Sequence, residues 1–111
     1  MVNMENRKLS DGEISAKLAS LHGWKMEEGK LLRVMTFGNF EDAFSFIARI
    51  ALEIEKMGHH PEIRNEYSRV EIRLSTHKIR NPDGTVSSGI SLLDFELAER
   101  IDAVASGYRL K

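Results

Sequence analysis

The chain has 111 residues and a formal net charge of −1, from 16 Lys and Arg against 17 Asp and Glu. That length fits one domain over 1–111 with a single core, and the balanced charge argues against a dedicated nucleic-acid binder. There is no cysteine, which excludes disulfides and thiolate metal sites, and no apolar run approaches the ~18 residues of a membrane span, so a cytoplasmic location is expected.

Residues 1–9 read as a loose lead-in, and Met1-Val2-Asn3-Met4-Glu5-Asn6 lacks the apolar core of a signal peptide. Ser10-Asp11-Gly12-Glu13 has the form of a capping box, a hydroxyl at the N-cap and a carboxylate three residues later. Ile14, Leu18 and Leu21 follow at helical spacing, and Gly23 is the expected stop. Trp24 to Glu27 and Lys30 to Phe37 read as strands joined by a turn at Glu28-Gly29. Asn39 to Met57 is the strongest predicted helix. Asn39 caps it, and Ala43, Phe44, Ile47, Ile50, Ala51 and Ile54 form a wide apolar stripe. Gly58 suits the left-handed residue that closes a helix, and Pro61 prevents the helix from resuming.

Ile63 to Tyr67 and Val70 to Thr76 make a second hairpin. Val70, Ile72 and Leu74 alternate with Glu71, Arg73 and Ser75, so one face is core and the other polar. Lys78 to Ser88 reads as a polar loop around Pro82-Asp83-Gly84. Ser91 to about Ala105 is the last helix, opened by Ser91-Leu92-Leu93-Asp94 in capping-box form, with Leu93, Leu97, Ile101 and Val104 as its buried stripe. The order α-β-β-α-β-β-α predicts an α+β fold, two hairpins in an antiparallel sheet with helices packed on one face. The other face is left to solvent, a ligand or another subunit.

Three of the four histidines fall at element boundaries, His59 and His60 after a helix end and His77 at a strand end. Imidazole moves protons near neutral pH, so one reading is a metal-free acid–base site. A second is that cationic rings at a helix C-terminus answer the dipole and need no function. A third is zinc, which needs three converging ligands; adjacent histidines converge poorly, and no His-Glu-x-x-His is present. Glu55 lies one helical turn before His59, within reach of that ring. His59 and His60 cannot both face one centre unless the loop bends sharply. Asp94, at the third position of its helix, serves either as a cap or in catalysis. Trp24 and Tyr67 are expected to pack in the sheet, and His22 to lie on the surface. Phe44, Phe46 and Ile50 raise a helix-to-helix contact between subunits.

Glu55-x-x-x-His59-His60-Pro61, Tyr67, Ser75-Thr76-His77 and Gly89-Ile90-Ser91-x-x-Asp94 together closely resemble the pterin-4a-carbinolamine dehydratases. The resemblance covers nearly the whole chain. It implies an α+β fold with a four-stranded antiparallel sheet. It also implies dehydration of 4a-hydroxytetrahydrobiopterin to quinonoid dihydrobiopterin, the recycling step after aromatic amino acid hydroxylation, with no metal and no cofactor. His59, His60 and His77 are the implied catalytic set, with His59 as acid, His77 as its acid–base partner and His60 mainly for binding. Glu55, Pro61, Ser75, Thr76 and Asp94 join the histidines as the implied pterin-binding set. A homodimer or homotetramer is implied, and for some animal members partnership with a transcription factor, which would add a nuclear location. A non-catalytic binding module on the same scaffold is the alternative. Two features depart from the family pattern. Ile63 and Arg64 stand where an aromatic pair is common, and the segment from His77 to Gly89 is longer than usual.

Overall fold

The computed structural model describes residues 7–111, and its elements begin where short polar side chains can satisfy free backbone amides. Helix α1 (Asp11–Leu18) is capped by Ser10, whose hydroxyl accepts from Glu13 N–H at 3.2 Å while Glu13 accepts from Ser10 N–H at 2.9 Å. It ends at Leu18 rather than at Gly23, and single turns carry the chain to Trp24. The lead-in expected over 1–9 falls outside the described residues for its first six. Leu9 is not loose: it is buried, and its N–H donates to Ile90 O at 2.8 Å.

Strands β1 (Trp24–Glu27) and β2 (Lys30–Thr36) are joined at Glu28 and Gly29, with φ of 50° and 78°. Two successive positive φ values match the right-handed twist of paired strands. Helix α2 (Phe40–Met57) is capped by Asn39, which accepts from Asp42 N–H at 2.7 Å. Its buried line is Ala43, Phe46, Ile50 and Ile54. The predicted stripe was set too far round: Phe44 is 58% exposed and Ala51 also faces out. Phe46 and Ile50 belong to the chain's own core.

Strands β3 (Glu62–Glu66) and β4 (Arg69–Leu74) complete a four-stranded antiparallel sheet in the order β1-β2-β4-β3. Leu31 pairs with Leu74, Arg33 with Ile72 and Met35 with Val70. This face packs on the helices, including α3 (Leu92–Ala105) through Leu97, Ala98 and Ile101. Trp24 lies on the same face, and its indole N–H donates to Asp102 of α3 at 2.9 Å. Arg33 also pairs with Asp102. The opposite face carries Lys30, Arg69, Glu71 and Arg73, so it is charged. Tyr67 does not pack in the sheet; it is 72% exposed at the β3–β4 turn with φ 52°.

The stretch read as a polar loop over 78–88 is a third hairpin, β5 (Thr76–Arg80) with β6 (Val86–Gly89), forming its own two-stranded sheet. Its turn is held by Asn81 N–H to Thr85 O at 2.9 Å, with Gly84 at φ 89°. The ladder slips between Thr76 and Ile79, an irregularity that carries His77 and Lys78. Such bulges re-aim side chains. Among the described residues no helix is long and apolar enough to cross a membrane.

Candidate active site

Helix α2 stops at Gly58, whose φ of 63° and ψ of 26° reverse the chain in the left-handed conformation. Its N–H still closes the helix on Ile54 O at 2.9 Å. The next two residues leave in different directions. The His59 side chain is 12% exposed and turns toward α3; that of His60 is 66% exposed and turns to solvent.

His59 Nε2 lies 2.6 Å from Asp94 Oδ1. An ionised carboxylate only accepts, so the proton between them is on His59 Nε2. Asp94 is fully buried. Its Oδ2 accepts from the Thr76 hydroxyl at 2.8 Å and from Ser91 N–H at 2.9 Å. Thr76 Oγ1 also sits 2.7 Å from Ser91 Oγ. The single hydroxyl proton of Thr76 is committed to Asp94, so Ser91 donates to Thr76. A directed chain follows: Ser91 to Thr76 to Asp94, with His59 on the other oxygen. Among the described residues no buried side-chain polar atom lacks a partner. Asp94 therefore caps α3 and holds the histidine at once, where the sequence left these as alternatives.

His59, His60, Ser75, Thr76 and His77 line one groove of about 400 Å³, with Leu93 as its apolar wall. A second, of about 160 Å³, continues past His60, Pro61, Ser75 and His77 to Lys30, Glu62 and Arg73. The start of β5 and the end of α2 thus bring all three histidines to one surface. Glu55 is elsewhere: it meets His60, not His59, at 3.3 Å, and lines neither groove. The reversal at Gly58 swings His59 away from the helix and leaves the second ring nearest Glu55. Asp94 sits behind His59 and touches neither groove. Among the described residues no group of three His, Asp or Glu side chains is arranged to hold a metal ion.

A family model described as pterin 4 alpha carbinolamine dehydratase matches residues 7–104. The chain belongs to this family. A Prochlorococcus marinus protein provisionally named pterin-4-alpha-carbinolamine dehydratase is 46% identical over 101 residues, covering 91% of this chain and 97% of its own length. A Bradyrhizobium protein under the same provisional name is 44% identical over 91 residues, covering 80% of this chain and 84% of its own. The crystal structure of a transcriptional coactivator/pterin dehydratase from Brucella melitensis matches with a TM-score of 0.76 and 35% identity, over 89% of this chain and 99% of that one.

Within this carbinolamine dehydratase scaffold, two features went unread in the sequence. Ser91 was taken only as a helix cap, yet its hydroxyl is buried against Thr76. Arg73 is expected on the polar face of its strand and Lys30 at the start of one, yet both reach the groove. The β2–β4 register, continued one residue past Leu31–Leu74, puts Lys30 opposite Ser75 and hence at the groove. That pairing was the signal available. The assembled site offers an imidazole nitrogen of fixed orientation, two further imidazoles and a hydroxyl-lined wall. Imidazoles and hydroxyls lining one groove can exchange protons with a bound small molecule near neutral pH.

Proposed function

We propose that this protein dehydrates a 4a-hydroxytetrahydropterin to the quinonoid dihydropterin by histidine acid–base catalysis. The observation that carries the reading is the His59–Asp94 pair behind a groove that His60 and His77 also line. Membership of the carbinolamine dehydratase family supports it. In the reaction the bond between the ring carbon and its hydroxyl oxygen breaks, the neighbouring ring nitrogen supplies the electron pair, and water leaves. One proton must reach the departing oxygen and one must leave the ring N–H. In this step His59 acts as the imidazolium, with Nε2–H held on Asp94 and Nδ1–H passing to the departing oxygen; neutral His77 takes the second proton; His60 holds the substrate. Each such transfer is worth about 10²–10⁴-fold. The balance needs no oxidant, reductant or metal.

The test is the rate of loss of freshly formed 4a-hydroxytetrahydropterin in stopped flow. The protein accelerates it, and the double variant His59→Ala/His77→Ala falls close to the uncatalysed rate. Near wild-type turnover in the double variant would sink the assignment.

A second reading, binding through the same scaffold, is favoured by the outer side of α2. Phe40 and Phe44 are 47% and 58% exposed with ring centroids 5.7 Å apart, and Leu52, two turns on, is 66% exposed. We assign this line to contact between copies of the chain in a homo-oligomer. Phe44→Glu then lowers the mass in sedimentation while the histidine groove keeps its turnover. An unchanged mass removes the reading.

A further inference from the structure

The buried chain from Ser91 to His59 receives a contact from the N-terminal segment. Ser91 N–H, which donates to Asp94 Oδ2 at 2.9 Å, belongs to the same amide as the Ile90 carbonyl. That carbonyl accepts the N–H of Leu9 at 2.8 Å. The amide is trans and planar, so its oxygen and its N–H point in opposite directions. It is thus held at both ends, by Leu9 on one side and by the Asp94 carboxylate on the other. Leu9, Ile90 and Ser91 are all buried, so water does not compete for either bond.

We propose that Leu9 is a positioning residue for the reaction: its backbone N–H sets, through the Ile90–Ser91 amide, the Asp94 carboxylate that orients His59. The role rests on the acid–base reading of His59. Two effects act along this line. A planar amide pinned at its oxygen cannot turn its N–H off Asp94 without breaking the Leu9 bond. A carbonyl that accepts a hydrogen bond also polarises its amide, which makes the N–H on the same plane a stronger donor. Both favour one setting of the carboxylate, whose other oxygen faces His59 Nε2 at 2.6 Å.

The segment that carries Leu9 is fixed on either side of it. Arg7 donates to both carboxylate oxygens of Glu13, at 3.0 and 2.7 Å, and Ser10 caps α1. The Leu9 side chain packs in the core. Gly89 pairs with Thr76 at the end of the β5–β6 ladder, and its lack of a side chain leaves room for the Lys8 stem. A Cβ there would stand 2.9 Å from Lys8 Cε. The segment therefore lies close against the strand end, beside the Ile90–Ser91 amide.

The side chain and the N–H of Leu9 can be removed separately. Replacing Leu9 by its α-hydroxy acid turns the Lys8–Leu9 amide into an ester, which keeps the side chain and deletes the N–H. Leu9→Ala keeps the N–H and deletes most of the buried side chain. Leu9→Ala lowers the unfolding midpoint more, because it leaves a cavity in the core. The ester lowers kcat more, by about five- to tenfold, the worth of one hydrogen bond. Its KM is unchanged, because Leu9 lines neither histidine groove. This crossed order supports the proposal. Losses of kcat that follow the order of the midpoints, or an ester with wild-type kcat, make Leu9 a packing residue only and overturn it. Nuclear magnetic resonance of the His59 ring N–H supplies a readout that needs no turnover: the proton exchanges with water faster in the ester than in Leu9→Ala. A wild type that turns over no 4a-hydroxytetrahydropterin overturns the dehydratase reading, and the ring proton then decides the positioning role alone. Equal exchange in the two variants overturns that role.

Discussion

Strand β4 and its continuation carry a polar cluster on each side, and the two are built on opposite rules. On the outer sheet face Arg73 meets Glu71 at 2.9 Å, Glu62 at 3.7 Å and Glu27 at 3.8 Å. Arg69 also meets Glu71, and Lys30 meets Glu62 at 3.4 Å. Arg73, Glu71, Glu62 and Glu27 each have more than one partner, and most of the charges are open to water and screened by salt. On the helix side Thr76, Ser91 and Asp94 are shut away from solvent, and each is joined to the next by a single bond of 2.7 to 2.9 Å. The Thr76 hydroxyl, Ser91 N–H and His59 all converge on the Asp94 carboxylate. Redundancy makes the outer cluster tolerant, and enclosure makes the inner one all-or-none.

The largest effect expected from this contrast is that of Asp94→Ala. It strands the Thr76 hydroxyl, Ser91 N–H and His59 ring N–H in a buried site, a loss of about 3–5 kcal/mol. The kcat falls about 10²-fold or more, because His59 loses its orientation. Denaturant unfolding and stopped-flow turnover measure the two; a wild-type unfolding midpoint would break the comparison. Thr76→Val comes next. It keeps the shape, removes the hydroxyl bridge from Ser91 Oγ to Asp94 Oδ2, and costs about 1–3 kcal/mol. Asp94 keeps Ser91 N–H and His59, so kcat falls less than in Asp94→Ala. Equal losses of kcat would show that Thr76 touches the reacting atoms itself.

Glu71→Gln, in the outer cluster, lowers the unfolding midpoint less than Thr76→Val, and the deficit shrinks as salt rises. A salt-independent loss as large as that of Thr76→Val would erase the distinction between the two clusters. The smallest effect is one of acid titration. The hydrogen bond from Arg7, followed by that from Ser10 N–H, holds the Glu13 carboxyl down at about 2 from its ordinary 4.5. Arg73 and then Arg69 hold Glu71 low in the same way. A carboxyl whose folded value is depressed stabilises fully above its unfolded value, and the contribution fades as pH falls through the folded one. The difference in Tm between wild type and Glu13→Gln is therefore widest near neutral pH and closes between about 4.5 and 2. A difference that persists at the acid end would mean that Glu13 acts by something other than its charge.

The elements that were legible in the sequence are those with local signals. Ser10, Asn39 and Gly58 mark helix ends because their side chains, or the lack of one, act on backbone within a few residues. In β4 the alternation of Val70, Ile72 and Leu74 with Glu71 and Arg73 shows a sheet with one apolar and one polar face. The third hairpin was not legible: Thr76 to Arg80 and Val86 to Gly89 are short, polar and interrupted by a bulge, so no period of two survives. Its turn at Pro82-Asp83-Gly84 was visible, but a turn does not announce the strands around it. The α2 face was misjudged because a stripe with Phe44 at one edge and Phe46 at the other has the same period. Only packing against the sheet and α3 decides which phenylalanine is inside. In the site, the residue types and their spacing were visible. Which carboxylate meets which histidine was not, since that depends on the reversal at Gly58 and on α3, 35 residues away along the chain.

The chain holds one tryptophan, and its position supplies an optical reporter. Trp24 is 6% exposed and hydrogen-bonded to Asp102 near the far end of α3 from Asp94. Its emission therefore reads the docking of α3 on the sheet. Unfolding moves the indole from an apolar setting into water, and its emission shifts to longer wavelength. Because α3 begins at Ser91 and Asp94, the same signal tells whether a change at the histidine groove has stayed local or has loosened the helix that the groove is built on.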